Sequence, residues 1–130
     1  MTQPLSKPPR KNPVARTRQP TLPPASRSRR ALGLTASAAA GKFDLQVCQE
    51  CQAVQYPPRE VCHRCLSDQL LWQPVAPRGT LLASTTLRHS NDLFFRERLP
   101  WRIGTVQLES GPRAIAHVHG DCEDGKPVKL

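Results

Sequence analysis

The clearest alternation of apolar and polar positions in this chain begins at Phe43. Phe43, Leu45 and Val47 alternate with Asp44 and Gln46, a period of two that predicts a strand ending at Cys48. Val54-Gln55-Tyr56 predicts a second short strand, and Pro57-Pro58-Arg59 a rigid extended segment after it. Leu70 to Val75 is a further apolar segment, broken at Pro77-Arg78-Gly79. From Gly79 to Arg88, Leu81, Ala83, Thr85 and Leu87 oppose Leu82, Ser84, Thr86 and Arg88, a strand with one wetter face. His89 to Pro100 reads as a polar connection carrying Phe94 and Phe95. Trp101 to Glu109 and Arg113 to His119 predict two more strands, joined by the turn Ser110-Gly111-Pro112. After an acidic loop from Gly120 to Gly125, Val128 and Leu130 predict the start of a fourth strand, where the sequence stops. Short strands parted by turns, with no long helical period, predict a mainly β fold: a small barrel or sheet.

Upstream of Phe43 the pattern changes. Ala31 to Ala40 predicts a brief helix with Thr35 as its N-cap and Gly41 as its C-cap. Residues 1–34 form a basic tail rich in Pro, Arg and Ser, and up to about Arg30 almost nothing in it can build a core. Such a composition does not offset the entropy of ordering, so the tail is expected to be disordered.

The formal charge of +9 over 130 residues would suggest a nucleic-acid binder if it were spread over a folded surface. Residues 1–42 carry nine Lys and Arg and no acid, whereas residues 43–130 carry ten basic and ten acidic residues. The charge therefore belongs to the tail. Three readings of the tail compete: an inert extension, an electrostatic arm for nucleic acid or an acidic partner, and an organelle-targeting peptide whose many prolines count against it. No apolar run approaches the roughly 18 residues of an ordinary membrane-spanning helix.

Candidate chemistry centres on Cys48-Gln49-Glu50-Cys51 and Cys62-His63-Arg64-Cys65, two C-x-x-C knuckles with ten residues between them. Each knuckle is a tight turn aiming two sulfurs at one point, and the loop between them is long enough to return, so Cys48, Cys51, Cys62 and Cys65 can surround a tetrahedral ion. Zinc is expected ahead of iron. The competing reading is two disulfides. No signal peptide precedes the motif, which favours a reducing, cytoplasmic compartment and hence the metal. Four protein sulfurs leave no coordination position open for substrate, which makes the site structural rather than catalytic.

Other residues carry weaker signals. His63, inside a knuckle, competes as a ligand that four sulfurs make unnecessary. His117 and His119 share a strand face without a visible third ligand. Cys122 lies among Asp121, Glu123 and Asp124, which disfavour a thiolate nucleophile. Phe94, Phe95 and Trp101 suit interface or core packing as well as a binding face. The chain contains no phosphate loop, no Gly-x-Ser-x-Gly elbow and no catalytic acid–base pair.

Taken together, these residues carry a resemblance. The short helix and Gly41 precede Cys48-x2-Cys51-x4-Tyr56-Pro57-Pro58-Arg59-x2-Cys62-x2-Cys65. Trp72, Gly79-Thr80, Leu99-Pro100-Trp101, Val106-x-Leu108 and Gly111-Pro112-Arg113 follow. From about residue 35 to 130 this resembles a family that joins a rubredoxin-like zinc ribbon to an OB-fold and is associated with acyl-CoA metabolism. The resemblance implies a short helix plus zinc ribbon over 35–69 and an OB-fold barrel over 70–130. That barrel is incomplete relative to the family pattern, so it should expose a sheet edge unless a partner covers it. It also implies a non-catalytic accessory subunit, not itself an enzyme, that binds acyl-CoA and supports a thiolase-like enzyme or a hotdog-fold enoyl-CoA hydratase. Tyr56 and Arg59 would then contact the ligand, the phenol beside the pantetheine and the guanidinium on a phosphate. The competing reading is a Tyr packed on the ribbon and an Arg in solvent. A nucleic-acid-binding ribbon–OB module is the second functional reading, and the neutral folded part, with few aromatics on its strands, counts against it.

Overall fold

The computed structural model describes residues 28–130, so the three readings of the tail fall largely outside the described residues. Within them the chain is mainly β, a zinc-ribbon region followed by an OB-fold half-barrel. Helix α1 spans Leu32–Ala39, and strands β1 (Asp44–Cys48), β2 (Val54–Gln55) and β3 (Leu70–Pro74) form one antiparallel sheet in the order β2-β1-β3. Strands β4 (Arg78–Leu87), β5 (Trp101–Leu108), β6 (Arg113–His117) and β7 (Pro127–Lys129) form a second, open sheet in the order β6-β5-β4-β7. A single turn, α2 (Leu93–Arg96), lies in the connection between β4 and β5, capped by the Asp92 carboxylate on the Phe94 N–H. Among the described residues no helix is long and apolar enough to cross a membrane.

Three local expectations change. The helix starts at Leu32 and runs through Thr35, so Thr35 is not its N-cap, and Ala31 at that position makes no side-chain cap. Nor are residues 28–34 a free tail. Arg30 pairs with Glu60 at 2.9 Å and donates to the carbonyls of Glu60 and Asp68, while Leu34 packs on the core. Gly33 lies so close to Trp72 that a Cβ would sit 2.2 Å from the indole, and this flush contact fixes the helix on β3. The C-terminal expectation is met: Gly41, at φ +68°, donates to Ala38, and Lys42 donates to Ser37, which closes the last turn in a Schellman arrangement.

The apolar segment at Leu70–Pro74 belongs by hydrogen bonding to the ribbon rather than to the barrel, since β3 pairs with β1 from Asp44↔Pro74 to Cys48↔Leu70. A long-range pairing of this kind has no local signature. In β4 the register slips between Leu81 and Ala83; Leu81 is fully buried and Leu82 exposed, as a bulge requires. One core serves both sheets. Leu45 of β1 is buried together with Leu81, Val106, Leu108 and Ala114, and Leu34, Phe43, Val54 and Tyr56 pack against the same cluster.

Candidate metal centre and adjoining cleft

The ends of β1 and β3 and the hairpin into β2 bring the two knuckles face to face. Their backbones close by short-range bonds, Gln52 N–H to Cys48 C=O and Leu66 N–H to Cys62 C=O, each at 3.0 Å. The Sγ atoms of Cys48, Cys51, Cys62 and Cys65 all lie within 4.8 Å of one another, with Cys48–Cys65 and Cys51–Cys62 at 3.5 Å. A tetrahedron with metal–sulfur bonds of about 2.3 Å has edges of about 3.8 Å, a value that the observed separations bracket, so the four sulfurs suit zinc. All five cysteines are free of disulfides.

Without a cation, four sulfurs at one point cannot all carry charge, and the thiols divide accordingly. Burial pushes Cys62 up, but the N–H groups of Cys65 and Arg64 and the neighbouring sulfurs outweigh it and bring Cys62 down to about 6. Cys48 is lowered as well, chiefly by the N–H of Cys51. The Ser67 N–H favours a thiolate at Cys65, yet burial and the three other sulfurs push it up to about 12. At Cys51 the Ala53 N–H is likewise outweighed, by burial and by Cys62, and the thiol rises. A bound dication removes this conflict. Zinc here serves as a structural pin that holds the two knuckles together.

Two residues that sequence reasoning passed over support this centre. Gln46 and Gln55 are 1% exposed, although each is a polar residue on a short strand. Gln55 donates through Nε2 to Cys62 Sγ at 3.3 Å and accepts at Oε1 from the His63 N–H at 3.0 Å; its Oε1 also faces the His63 ring nitrogen Nδ1 at 2.5 Å. His63 thus turns to Gln55 and is not among the grouped sulfur ligands. Gln46 accepts from the Arg59 N–H at 2.7 Å and donates to the Arg59 carbonyl at 3.0 Å. Replacing Gln55 with leucine leaves a thiolate without its donor and will weaken zinc affinity by about tenfold to a hundredfold. Competition with a chromogenic chelator measures that change, and unchanged affinity would show that Gln55 only fills space.

Tyr56 and Arg59 lie on the wall of a cleft of about 580 Å³ between the ribbon and the β5–β6 turn. Tyr56 packs on the core from there, while the Arg59 side chain is exposed. The remaining candidates do not converge on a site. His117 stacks on Trp101 at 4.3 Å, Trp101 lies 5.2 Å from Phe95, and the Cys122 thiol donates to the His119 carbonyl at 3.3 Å. Among the described residues, the four-cysteine cluster is the one grouping suited to a metal.

A four-sulfur ribbon, its sheet completed by β3 and packed through Leu45 onto an OB half-barrel, defines a rubredoxin-like zinc-ribbon/OB protein. Residues 35–70 match the family described as ChsH2, rubredoxin-like zinc ribbon domain, and residues 72–130 match ChsH2, C-terminal OB-fold domain; the chain belongs to the ChsH2 family. No curated protein matches it in sequence. A solved structure named "Ltp2-ChsH2(DUF35) aldolase" is similar over 82% of this chain and 85% of that one, with a TM-score of 0.70 and 23% identity. That finding corrects the expectation of a non-catalytic accessory subunit that is not itself an enzyme. In the similar structure ChsH2 (DUF35) is a named component of an aldolase.

Proposed function

We propose that this chain is the ribbon–barrel component of a two-component enzyme acting on acyl-CoA, in which a thiolase-like partner and this chain together make the working catalyst. One observation carries the reading: Tyr56 and Arg59, a phenol and an exposed guanidinium, share the wall of a cleft large enough for a small-molecule ligand at the joint of the two modules. In this reading Arg59 takes a phosphate oxygen and Tyr56 lies along the pantetheine. The family membership supports it, and so does the architecture shared with a complex named an aldolase, a carbon–carbon bond-cleaving class. Cys48, Cys51, Cys62 and Cys65 hold the zinc that keeps the ribbon wall of the cleft in place.

The test is a tagged pull-down of the full chain from its native cells with nuclease present, followed by reconstitution with what binds. A thiolase-like protein is expected in stoichiometric amount, and the reconstituted pair should cleave or condense an acyl-CoA faster than that protein alone. Capture of only ribosomal or nucleoid proteins that vanish with nuclease would overturn the proposal.

A further inference from the structure

The cleft at the joint has two walls, and cations arrive on it from both. Arg59 and Arg64 stand on the ribbon side and Arg113, at the start of β6, on the barrel side. Among the described residues no carboxylate lines the cleft. The acids nearest in sequence are engaged elsewhere: Glu60 with Arg30 at 2.9 Å, and Glu109, beside Ser110, with Arg78 at 3.3 Å. Among the described residues no carboxylate pairs with Arg59, Arg64 or Arg113. Like charges repel, so three arginines gathered around one space with no compensating acid call for an anion between them.

The cations are also aimed. Arg113 Nε donates to Gln107 Oε1 at 3.0 Å, and Gln107 donates in turn to the Gly111 carbonyl at 2.7 Å, which leaves the terminal nitrogens of Arg113 for a ligand. On the ribbon side the Arg64 N–H is bound to Cys62 Sγ at 3.3 Å, and both backbone polar groups of Arg59 are bound to the buried Gln46. One polar atom at the edge of this space has no partner. Ser110, which lines the cleft, has a buried hydroxyl oxygen with no hydrogen-bond partner among the described residues.

We infer that this cleft is a phosphate-binding site in which Arg59, Arg64 and Arg113 close on phosphate oxygens from the two modules, and that it seats the diphosphate end of an acyl-CoA. The ligand's identity rests on the function proposed above; the phosphate site itself stands on the geometry. Guanidinium groups suit it because their planar fork meets two phosphate oxygens at once. Since the three side chains are exposed, binding will weaken as salt rises.

Isothermal calorimetry on the full zinc-loaded chain tests this with three probes: coenzyme A, pantetheine, which lacks the nucleotide phosphates, and inorganic pyrophosphate. Coenzyme A and pyrophosphate should bind, with pantetheine at least about tenfold weaker. Arg64→Ala and Arg113→Ala should each weaken coenzyme A and pyrophosphate by about tenfold, leaving zinc content and thermal melting unchanged. Coenzyme A binding untouched by both substitutions would overturn the inference while the acyl-CoA reading stood. Pyrophosphate binding that both variants lose, with no coenzyme A binding, would keep the site and remove that reading. Binding of neither probe would overturn the site, and so would a single-stranded oligonucleotide that binds more tightly than coenzyme A through the same arginines.

Discussion

Replacing Cys62 with serine will release the metal from the ribbon and unfold the ribbon with it. Cys62 is fully buried, accepts N–H donors from Arg64 and Gln55, and lies 3.5 Å from Cys51 Sγ. A serine hydroxyl stays protonated at neutral pH and is a poor zinc ligand, so coordination falls to three sulfurs. In small ribbons the metal's binding free energy, of the order of 10–16 kcal/mol, is folding free energy. Zinc content should drop from about one equivalent per chain to near zero, and a chelator should produce the same unfolded ribbon from the unaltered protein. A variant that kept its full zinc content and its melting temperature would refute the prediction. Metal binding should also release protons, because Cys51 and Cys65 are thiols at neutral pH and must ionise; calorimetry in buffers of different ionisation heat reads this directly.

The metal-free ribbon has its own pH window. Cys62 lies below the ordinary 9.0, so its support for the folded form is complete above pH 9 and fades as the pH falls through about 6. Cys65 runs the other way: its support is complete below 9 and is lost as the pH rises toward about 12. Any folded population of the metal-free form is therefore largest near pH 9 and falls off toward 6 on one side and toward 12 on the other.

Gly79→Ala should be the most damaging single-atom addition in the barrel. Gly79 is buried at the start of β4, where it pairs with Leu108 on one side and Val128 on the other. A Cβ there would sit 2.4 Å from the Gln107 carbonyl oxygen and 2.7 Å from a Val106 methyl. A flexible side chain could turn aside, but a backbone carbonyl held in a ladder cannot, so the β4–β5 pairing must open or shift. Overpacking of this kind costs about 1–3 kcal/mol, and with ladder bonds lost as well the upper end is expected. Urea unfolding of the zinc-loaded chain measures it. Gly111→Ala serves as a comparison, because nothing lies within 4 Å of its added Cβ and only its φ of +120° opposes the change.

What the sequence made legible was local. C-x-x-C spacing placed the four sulfurs because each knuckle is a short-range turn, and apolar–polar alternation placed β1, β4, β5 and β6, although β1 proves buried on both faces. Gly41 was readable for the same reason. Thr35 was not, since tertiary contacts of Arg30 and Leu34 extended the helix beyond the best capping residue. Leu70–Pro74 could not be assigned to the ribbon from its own residues, because its partner strand is some two dozen positions away. Gln46 and Gln55 read as outward-facing polar residues until the knuckle loop folded over them. Arg64 and Arg113 meet at one cleft through two non-local sheets, a juxtaposition that no pattern along the chain records.

Leu45 gives the molecule an unusual kind of modularity. The two family descriptions divide the chain at Leu71, in the middle of β3, as though ribbon and barrel were separate heirlooms. Yet Leu45, Phe43, Val54 and Tyr56, all on the ribbon side, complete a core otherwise built from Leu81, Val106, Leu108 and Ala114. A ribbon exchanged between relatives must therefore bring that apolar face with it, or the recipient barrel loses one wall of its interior. Heating the intact chain should likewise show a single absorption of heat rather than two. Ancestry can be drawn through residue 71; cooperativity runs straight across it.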